Sequence, residues 1–249
     1  MRNPAEGRAP DPAAETGVAL RVGGLTQLSL SDWPGQLAAV VFCQGCPWRC
    51  GYCHNPHLVP PRAPTSLAWD DVLAFLERRR GLLDAVVFSG GEPTLQAGIT
   101  RALQQVKALG YKLGLHTAGA YPRRLAELLP LLDWVAMDIK APFADYAATT
   151  GVADSGTPAL ASVRLILASG VAYEFRTTVH PDLLPAAALP ALAGSLAQIG
   201  IRNYALQEFR SQGCARHEFR VPVTPPYLSD VMLSGRIAPL FDSFCVRQS

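Results

Sequence analysis

Residues 38–56, AAVVFCQGCPWRCGYCHNP, join a short apolar run directly to a loop that holds four cysteines. The run 38–42 predicts a buried parallel strand, because strands covered on both faces have near-continuous apolar sequences. The cysteines at positions 43, 46, 50 and 53 lie within eleven residues. A secreted disulfide domain is usually much smaller and spreads its cysteines along the chain. We therefore interpret this group as metal ligands in a reducing compartment.

Two metal sites are compatible with these cysteines. All four, spaced C-x2-C-x3-C-x2-C, could form a structural zinc site, but zinc ribbons separate their cysteine pairs by roughly a dozen residues or more. The alternative uses Cys46, Cys50 and Cys53 as three thiolates of one [4Fe–4S] cluster, which leaves one iron open for another ligand. We favour the cluster, so that Cys43 is the buried last residue of its strand. Cys214 and Cys245 are isolated and are expected to be inert packing residues.

Beyond this loop, short apolar runs alternate with segments of helical periodicity. The predicted strands are 38–42, 85–88, 112–116, 134–139, 173–179 and 204–209, and the predicted helices are 67–80, 99–109, 123–129, 160–168 and 187–199. Residues 18–22 and 25–30 are expected to form a short hairpin around Gly23-Gly24. Alternating strands and helices indicate a parallel sheet with right-handed crossovers. We predict an α/β fold, a partial (β/α)6 TIM-like barrel with an N-terminal short hairpin; a doubly wound open sheet is the alternative.

Both architectures place chemistry at the carboxyl ends of the strands, where this chain carries polar and glycine-rich motifs. Ser89-Gly90-Gly91-Glu92-Pro93 follows the second strand, and glycines let the backbone approach a ligand closely. His116-Thr117-Ala118-Gly119 follows the third strand. In Asp138-Ile139-Lys140 both charged side chains share one face, although a plain ion pair explains Lys140 equally well. Arg176 can bind a carboxylate with two hydrogen bonds, or serve a structural role.

Cys-x3-Cys-x2-Cys after the first strand, with Gly-Gly-Glu-Pro after the second, resembles the radical S-adenosylmethionine (SAM) superfamily. The resemblance implies two cofactors, one [4Fe–4S] cluster per chain and SAM, with the cluster on Cys46, Cys50 and Cys53. It implies reductive cleavage of SAM and hydrogen abstraction by the resulting radical, with no catalytic side chain beyond the cluster and SAM. Tyr52 is expected against the adenine, although packing on the barrel rim is an alternative. The implied SAM-binding residues are Tyr52, Gly90, Gly91, Glu92, Pro93, Thr117, Asp138, Lys140 and Arg176.

Within this superfamily the chain is similar to anaerobic ribonucleoside-triphosphate reductase activating proteins, relatives of the pyruvate formate-lyase activating enzyme. The similarity lies in Ser31-Asp32-Trp33-Pro34-Gly35, in residues 42–56 and in residues 137–140. It implies a glycyl-radical enzyme as partner, the class III ribonucleotide reductase, and an electron donor such as flavodoxin or ferredoxin. Three alternatives remain: another glycyl-radical enzyme of the pyruvate formate-lyase type, a small substrate such as a deazaguanine precursor, or a non-enzymatic zinc module.

Composition excludes other classes of protein. The chain has 249 residues, of which 17% are charged, and a net charge of +2 without a polybasic stretch, which argues against nucleic-acid binding. No apolar run approaches the roughly 20 residues that span a bilayer, and no secretory signal precedes the first strand, so we expect a cytoplasmic protein without a membrane partner. We expect a disordered Pro/Ala-rich lead over 1–17, a core domain over 18–221, and a C-terminal extension over 222–249 that either packs on the barrel or docks on the partner.

Overall fold

The structure, a computed structural model, describes residues 19–65, 67–214 and 235–247. Eight strands form one sheet in the order of the sequence. β1 is antiparallel to β2, and β2 to β8 are all parallel to one another. The strands are β1 Val22–Ser29, β2 Ala38–Cys43, β3 Ala85–Gly90, β4 Lys112–Thr117, β5 Trp134–Asp138, β6 Ala172–Val179, β7 Asn203–Glu208 and β8 Ser243–Arg247.

Helices connect the parallel strands, as the alternating pattern predicts. They are α1 Trp69–Arg78, α2 Ile99–Ala108, α3 Pro122–Leu128, α4 Tyr146–Thr150, α5 Gly156–Ser169 and α6 Leu189–Ile199. All six predicted strands and all five predicted helices are present, with ends displaced by a few residues. The short α4 was not predicted, because five residues are too few to show helical periodicity.

The predicted hairpin at the N-terminus is different in detail. Residues 22–29 form one continuous strand, and its antiparallel partner is β2, with Thr26 opposite Val40. Gly23 and Gly24 therefore do not form a turn. A Cβ atom on Gly23 would overlap the side chains of Leu58 and Gln44. This glycine is required because another segment lies against the strand. The sequence alone does not distinguish a glycine needed for such close packing from a glycine needed for a turn.

The end of the chain adds a seventh parallel strand that the sequence did not predict. β8 pairs with β7, with Arg247 opposite Gln207. Residues 243–247 of the expected C-terminal extension thus belong to the sheet. The expected disordered lead over 1–17 and residues 215–234 lie outside the part of the chain that the structure describes.

Two aromatic rings close the interior of the barrel at the amino ends of the strands. Trp33, in the loop between β1 and β2, stacks on Trp134 of β5 with ring centroids 5.2 Å apart. Small side chains surround the pair, and Gly114 leaves the space that the Trp33 ring occupies. A separate, larger core fills the space between the sheet and its helices. The interior is therefore open toward the carboxyl ends of the strands, where the predicted motifs lie.

Within the described ranges, no helix combines the length and the apolar composition that crossing a membrane requires.

Candidate active site

A cavity of about 630 Å³ opens at the carboxyl ends of the parallel strands. Most of the predicted site residues line it, although they come from five different strands or the loops that follow them. These residues are Cys46, Cys50, Tyr52, Cys53, Gly90, Gly91, Thr117, Asp138, Lys140 and Arg176. Glu92 and Pro93 are buried and do not line the cavity. The structure thus brings ten of the predicted residues together around one cavity, whereas Glu92 and Pro93 lie behind its wall.

The loop after β2 directs three of its four cysteines into the cavity. Cys43 is completely buried at the end of the strand, whereas Cys46, Cys50 and Cys53 are partly exposed and unpaired. Backbone hydrogen bonds tie the start of the loop to a later segment, from Gly45 N to Leu58 O at 2.7 Å and from Cys46 N to Val59 O at 3.0 Å. A third bond, from Cys53 N to Cys50 O, folds the loop back on itself. The cysteine positions are therefore fixed by the backbone.

The donor set fits an iron–sulfur cluster better than a single metal ion. Nowhere in the described ranges do three His, Cys, Asp or Glu side chains converge as one ion requires. Three thiols that each bind a different iron of a cluster do not need to converge in this way. Burial raises the pKa of the Cys46 thiol to about 12, the Glu92 carboxylate adding to this, and burial also raises the pKa of Cys50 and Cys53. The thiols are therefore protonated until a metal displaces their protons.

Lys140 is a buried cation whose charge acts on all three cysteines of this loop. Burial alone would lower the pKa of Lys140, but Tyr52 and Asp138 raise it well above its usual value. Its Nζ lies 3.2 Å from Asp138 Oδ2 and 5.5 Å from the centre of the Tyr52 ring. The ammonium group in turn lowers the pKa of all three half-buried cysteines. Lys140 thus favours negative charge on the cysteine loop.

The glycine pair after β3 packs against the cysteine loop. Gly90 has a φ of +108°, which favours glycine, and a Cβ atom there would overlap the backbone of Cys43. A Cβ atom on Gly91 would overlap the carbonyl oxygen of Gly45. The sequence predicts that these glycines admit a ligand. The structure shows that they also admit a neighbouring loop, so a larger residue at either position would displace the cysteines.

Glu92 connects the ends of two strands from behind the cavity wall. Its Oε1 accepts hydrogen bonds from Thr94 N (3.1 Å), Thr94 Oγ1 (2.6 Å) and Thr117 Oγ1 (2.7 Å), and Oε2 accepts from Ala118 N (2.8 Å). Burial raises the pKa of Glu92, while the four hydrogen bonds oppose that rise. The side chain therefore fixes the positions of Thr117 and Ala118, which do line the cavity.

A network of charged side chains inside the barrel was not predicted from the sequence. Arg176 donates from Nε to Glu174 Oε1 (2.6 Å) and from Nη2 to Asp32 O (3.3 Å), and its Nη1 lies 3.3 Å from His116 Nε2. Arg247 binds the same Glu174 carboxylate with two hydrogen bonds, at 2.8 and 2.7 Å. Burial and the charge of Arg176 lower the pKa of His116 to about 4. Alternation along β6 could have placed Glu174 and Arg176 on one face, but no local signal predicts the partner on β8.

Comparison with known proteins defines the class. Residues 40–185, more than half of the chain, match the family described as the radical SAM superfamily. The chain therefore belongs to the radical SAM superfamily and is an enzyme of that class. Members of this superfamily use a [4Fe–4S] cluster and SAM.

Within the class, the chain is similar to enzymes that activate glycyl-radical enzymes. It is 28% identical over 247 residues to a putative glycyl-radical enzyme activating enzyme of Methanocaldococcus jannaschii, across 91% of this chain and 95% of that protein. It is 35% identical over 125 residues to a pyruvate formate-lyase-activating enzyme of Clostridium pasteurianum, across 48% of this chain and 52% of that one. The second similarity therefore spans only about half of each protein.

Solved structures confirm the partial barrel. Streptococcus suis SuiB bound to S-adenosylmethionine superposes with a TM-score of 0.57 at 12% identity, over 83% of this chain and 48% of that one. TYW1 with a lysine-pyruvate adduct superposes with a TM-score of 0.56 at 14% identity, over 82% of this chain and 71% of that one. At such identities these similarities show the fold alone.

Proposed function

We propose that this protein cleaves SAM reductively and generates a glycyl radical on anaerobic ribonucleoside-triphosphate reductase. The observation that carries the proposal is the similarity to a putative activating enzyme along nearly the whole chain. The cavity supports it, because three unpaired thiols line it together with charged and hydrogen-bonding side chains. Only Cys43, Cys214 and Cys245 remain outside the proposed ligand set, too widely separated in the sequence for a second cluster motif.

In this proposal Cys46, Cys50 and Cys53 hold the cluster, and Cys43 is a packing residue. When bound, the cluster and SAM supply a one-electron cleavage of SAM into methionine and a radical, and that radical takes a hydrogen atom from a glycine Cα. The electron comes from a reduced donor such as flavodoxin or ferredoxin. No side chain of this chain needs to transfer a proton. Its residues therefore bind and orient the cluster, SAM and the substrate, and they exclude water from the site.

The SAM contacts that we propose follow the cavity wall. Gly90 and Gly91 present backbone groups to the ammonium of SAM, and Thr117 lies beside them. Lys140 and Asp138, whose charged groups lie 3.2 Å apart, contact SAM as a pair. Tyr52 packs against the adenine. Arg176 is held by hydrogen bonds to Glu174 and Asp32, and we propose that it contacts SAM from this fixed position. Glu92 and Pro93 lie behind the wall, and we propose that they hold in place the strand ends that contact SAM.

The remaining proposals concern the organisation of the chain and its location. We propose that residues 18–221 with β8 form the catalytic unit, and that the protein works in the cytoplasm. The clustering of four cysteines within eleven residues, which suits metal binding better than disulfides, supports a reducing compartment.

Electron paramagnetic resonance on the anaerobically reconstituted, reduced protein tests the function. We expect a SAM-dependent organic doublet when the reductase of the same organism is added, and no doublet with a reductase whose radical glycine is changed to alanine. A cluster signal that SAM perturbs, without any radical on the reductase, would contradict the choice of partner. Zinc at one per chain without sulfide would contradict the enzyme itself.

A second glycyl-radical enzyme is a specific alternative partner. Several curated relatives are pyruvate formate-lyase-activating enzymes, although they match only about half of the chain. Repeating the experiment with pyruvate formate-lyase separates the two partners. A doublet on that enzyme alone would replace the reductase in the proposal, whereas release of 5′-deoxyadenosine that depends on a small molecule would favour a small substrate.

A further inference from the structure

One wall of the cavity reaches an edge of the sheet. β1 and β8 are the first and last strands in the sheet order, so the parallel barrel is not closed between them in the part that the structure describes. Arg247, on the edge strand β8, lines the same cavity as the cysteine loop. A substrate longer than SAM can therefore reach the cysteines along the wall formed by β6, β7 and β8.

Two neutral side chains on this wall have unused hydrogen-bonding groups. Gln207 of β7 and Thr178 of β6 lie side by side in the sheet, and Gln207 Nε2 donates to Thr178 Oγ1 at 3.0 Å. Among the described residues, nothing donates to Gln207 Oε1 and nothing accepts from the Thr178 hydroxyl. The pair thus offers an amide oxygen as acceptor, and the Thr178 hydroxyl and the second N–H of Gln207 as donors, which complement the N–H and C=O of a peptide.

The charged groups beside this pair are already engaged. Nε and Nη2 of Arg176 donate to Glu174 and Asp32, and both Nη atoms of Arg247 donate to Glu174. The N–H groups that these contacts leave over lie beside the Glu174 carboxylate, whose negative charge repels an anionic substrate. This wall is therefore better suited to a neutral amide than to a carboxylate or phosphate.

We infer that Thr178 and Gln207 bind a main-chain amide of the glycine-bearing loop of the polypeptide substrate. The inference rests on the proposed function, and it assigns the polypeptide to the wall formed by β6, β7 and β8, where Arg176 is the single residue that we propose for SAM. Thr178 O–H donates to a peptide carbonyl, and Gln207 Oε1 accepts from a peptide N–H. Main-chain recognition of this kind suits a glycine, which offers no side chain to recognise.

The test measures binding without turnover. The probe is a fluorescein-labelled peptide of the glycine-bearing loop of the reductase, added to cluster-loaded protein with S-adenosylhomocysteine and without reductant. We expect Thr178→Val and Gln207→Met each to raise the Kd of the peptide about 3- to 10-fold, the loss of one neutral hydrogen bond. The Kd of SAM and the resonance signal of the reduced cluster should remain at wild-type values.

Thr177→Val is the matched control, because Thr177 is the next residue of β6 and faces away from the cavity. Its Oγ1 accepts a hydrogen bond from the buried Tyr204 hydroxyl at 2.7 Å. We expect this variant to lower the free energy of unfolding and to leave the Kd of the peptide unchanged. A loss of peptide binding as large as that of Thr178→Val would show a general effect on the strand and would overturn the inference.

Ester-containing peptides identify the hydrogen bond itself. In these probes one backbone N–H near the glycine is replaced by oxygen, one position at a time. We expect one ester to weaken binding to the wild type and to have no further effect on Gln207→Met, because both changes remove the same bond. Additive effects at every position would overturn the inference, as would an equal loss of SAM affinity in the two variants. If the wild type neither binds the peptide nor forms a radical on the reductase, the proposed function itself fails.

Discussion

Cys43 and Cys46 are three residues apart, yet the structure gives them different surroundings. Cys43 is completely buried in the core, and Cys46 is partly exposed in the cavity. We expect Cys46→Ala, like Cys50→Ala and Cys53→Ala, to abolish iron and sulfide retention after anaerobic reconstitution, because each thiolate holds one iron. Cys43→Ala should keep full iron content and lose about 1 kcal/mol of stability as a small core truncation. Retention of iron by Cys46→Ala together with its loss from Cys43→Ala would invalidate the ligand assignment.

The buried carboxylate of Glu92 and the exposed carboxylate of Glu127 differ in the same way. Four donors converge on its carboxylate, so the amide of Glu92→Gln would direct its NH2 group at a donor. We expect this change to lower the free energy of unfolding by about 1–3 kcal/mol, the range for leaving a buried polar group unsatisfied. Chemical denaturation of the cluster-free protein measures it. Glu127→Gln is the control, since its side chain is 54% exposed and its ion pair with Arg124 is long, at 3.5 Å. If both variants lost the same free energy of unfolding, the buried hydrogen bonds of Glu92 would contribute nothing to stability.

At the scale of elements, β8 is attached to the barrel by more than its pairing with β7. Arg247 reaches across β7 to Glu174 of β6, which also holds Arg176. Burial would raise the pKa of Glu174, but the hydrogen bonds from Arg247 and the charge of Arg176 lower it below its usual value of 4.5. A carboxylate whose pKa is lowered in the folded state stabilises the fold above its unfolded pKa and loses that contribution as pH falls through the folded pKa.

We therefore expect Glu174→Gln to lower the free energy of unfolding by about 1–3 kcal/mol at pH 7. The difference from the wild type should shrink as pH falls below 4.5, since the wild-type carboxylate then becomes neutral as well. Urea denaturation at several pH values measures both effects. If the difference in free energy of unfolding between Glu174→Gln and the wild type stayed constant down to pH 3, the charge on Glu174 would not be what attaches β8.

The same elements show how far the sequence predicts this fold. Strands β2 to β7 are predictable because each is a local apolar run, and the polar motifs at their ends identify one edge of the sheet. β8 is not, because Ser243–Arg247 is a five-residue segment outside the recognised alternation of strands and helices, and its partner strand precedes it by about 40 residues. The position of Glu92 behind the wall is equally non-local, since Thr117 and Ala118 are supplied by a different strand.

At the scale of the whole molecule, the cavity depends on segments that extend from Asp32 to Arg247. The Trp33–Trp134 stack closes one end, and the buried network of Arg176 joins the β1–β2 loop to β6 and, through Glu174, to β8. A ligand that contacts the cysteine loop and the ends of β3 to β6 at once would tie these segments together. Its binding free energy should therefore stabilise the entire fold.

This linkage gives a prediction for SAM. With SAM at about 100 times its Kd, we expect the cluster-loaded protein to gain roughly 2.7 kcal/mol in free energy of unfolding. Cys53→Ala at the same SAM concentration should gain much less, because the cluster, whose open iron we propose as part of the SAM site, is then absent while Gly90, Thr117 and Lys140 are unchanged. Anaerobic denaturation with and without SAM measures both gains, and S-adenosylhomocysteine separates binding from cleavage. An equal gain in Cys53→Ala would mean that the protein walls alone bind SAM, and that the cysteine loop does not form part of its site.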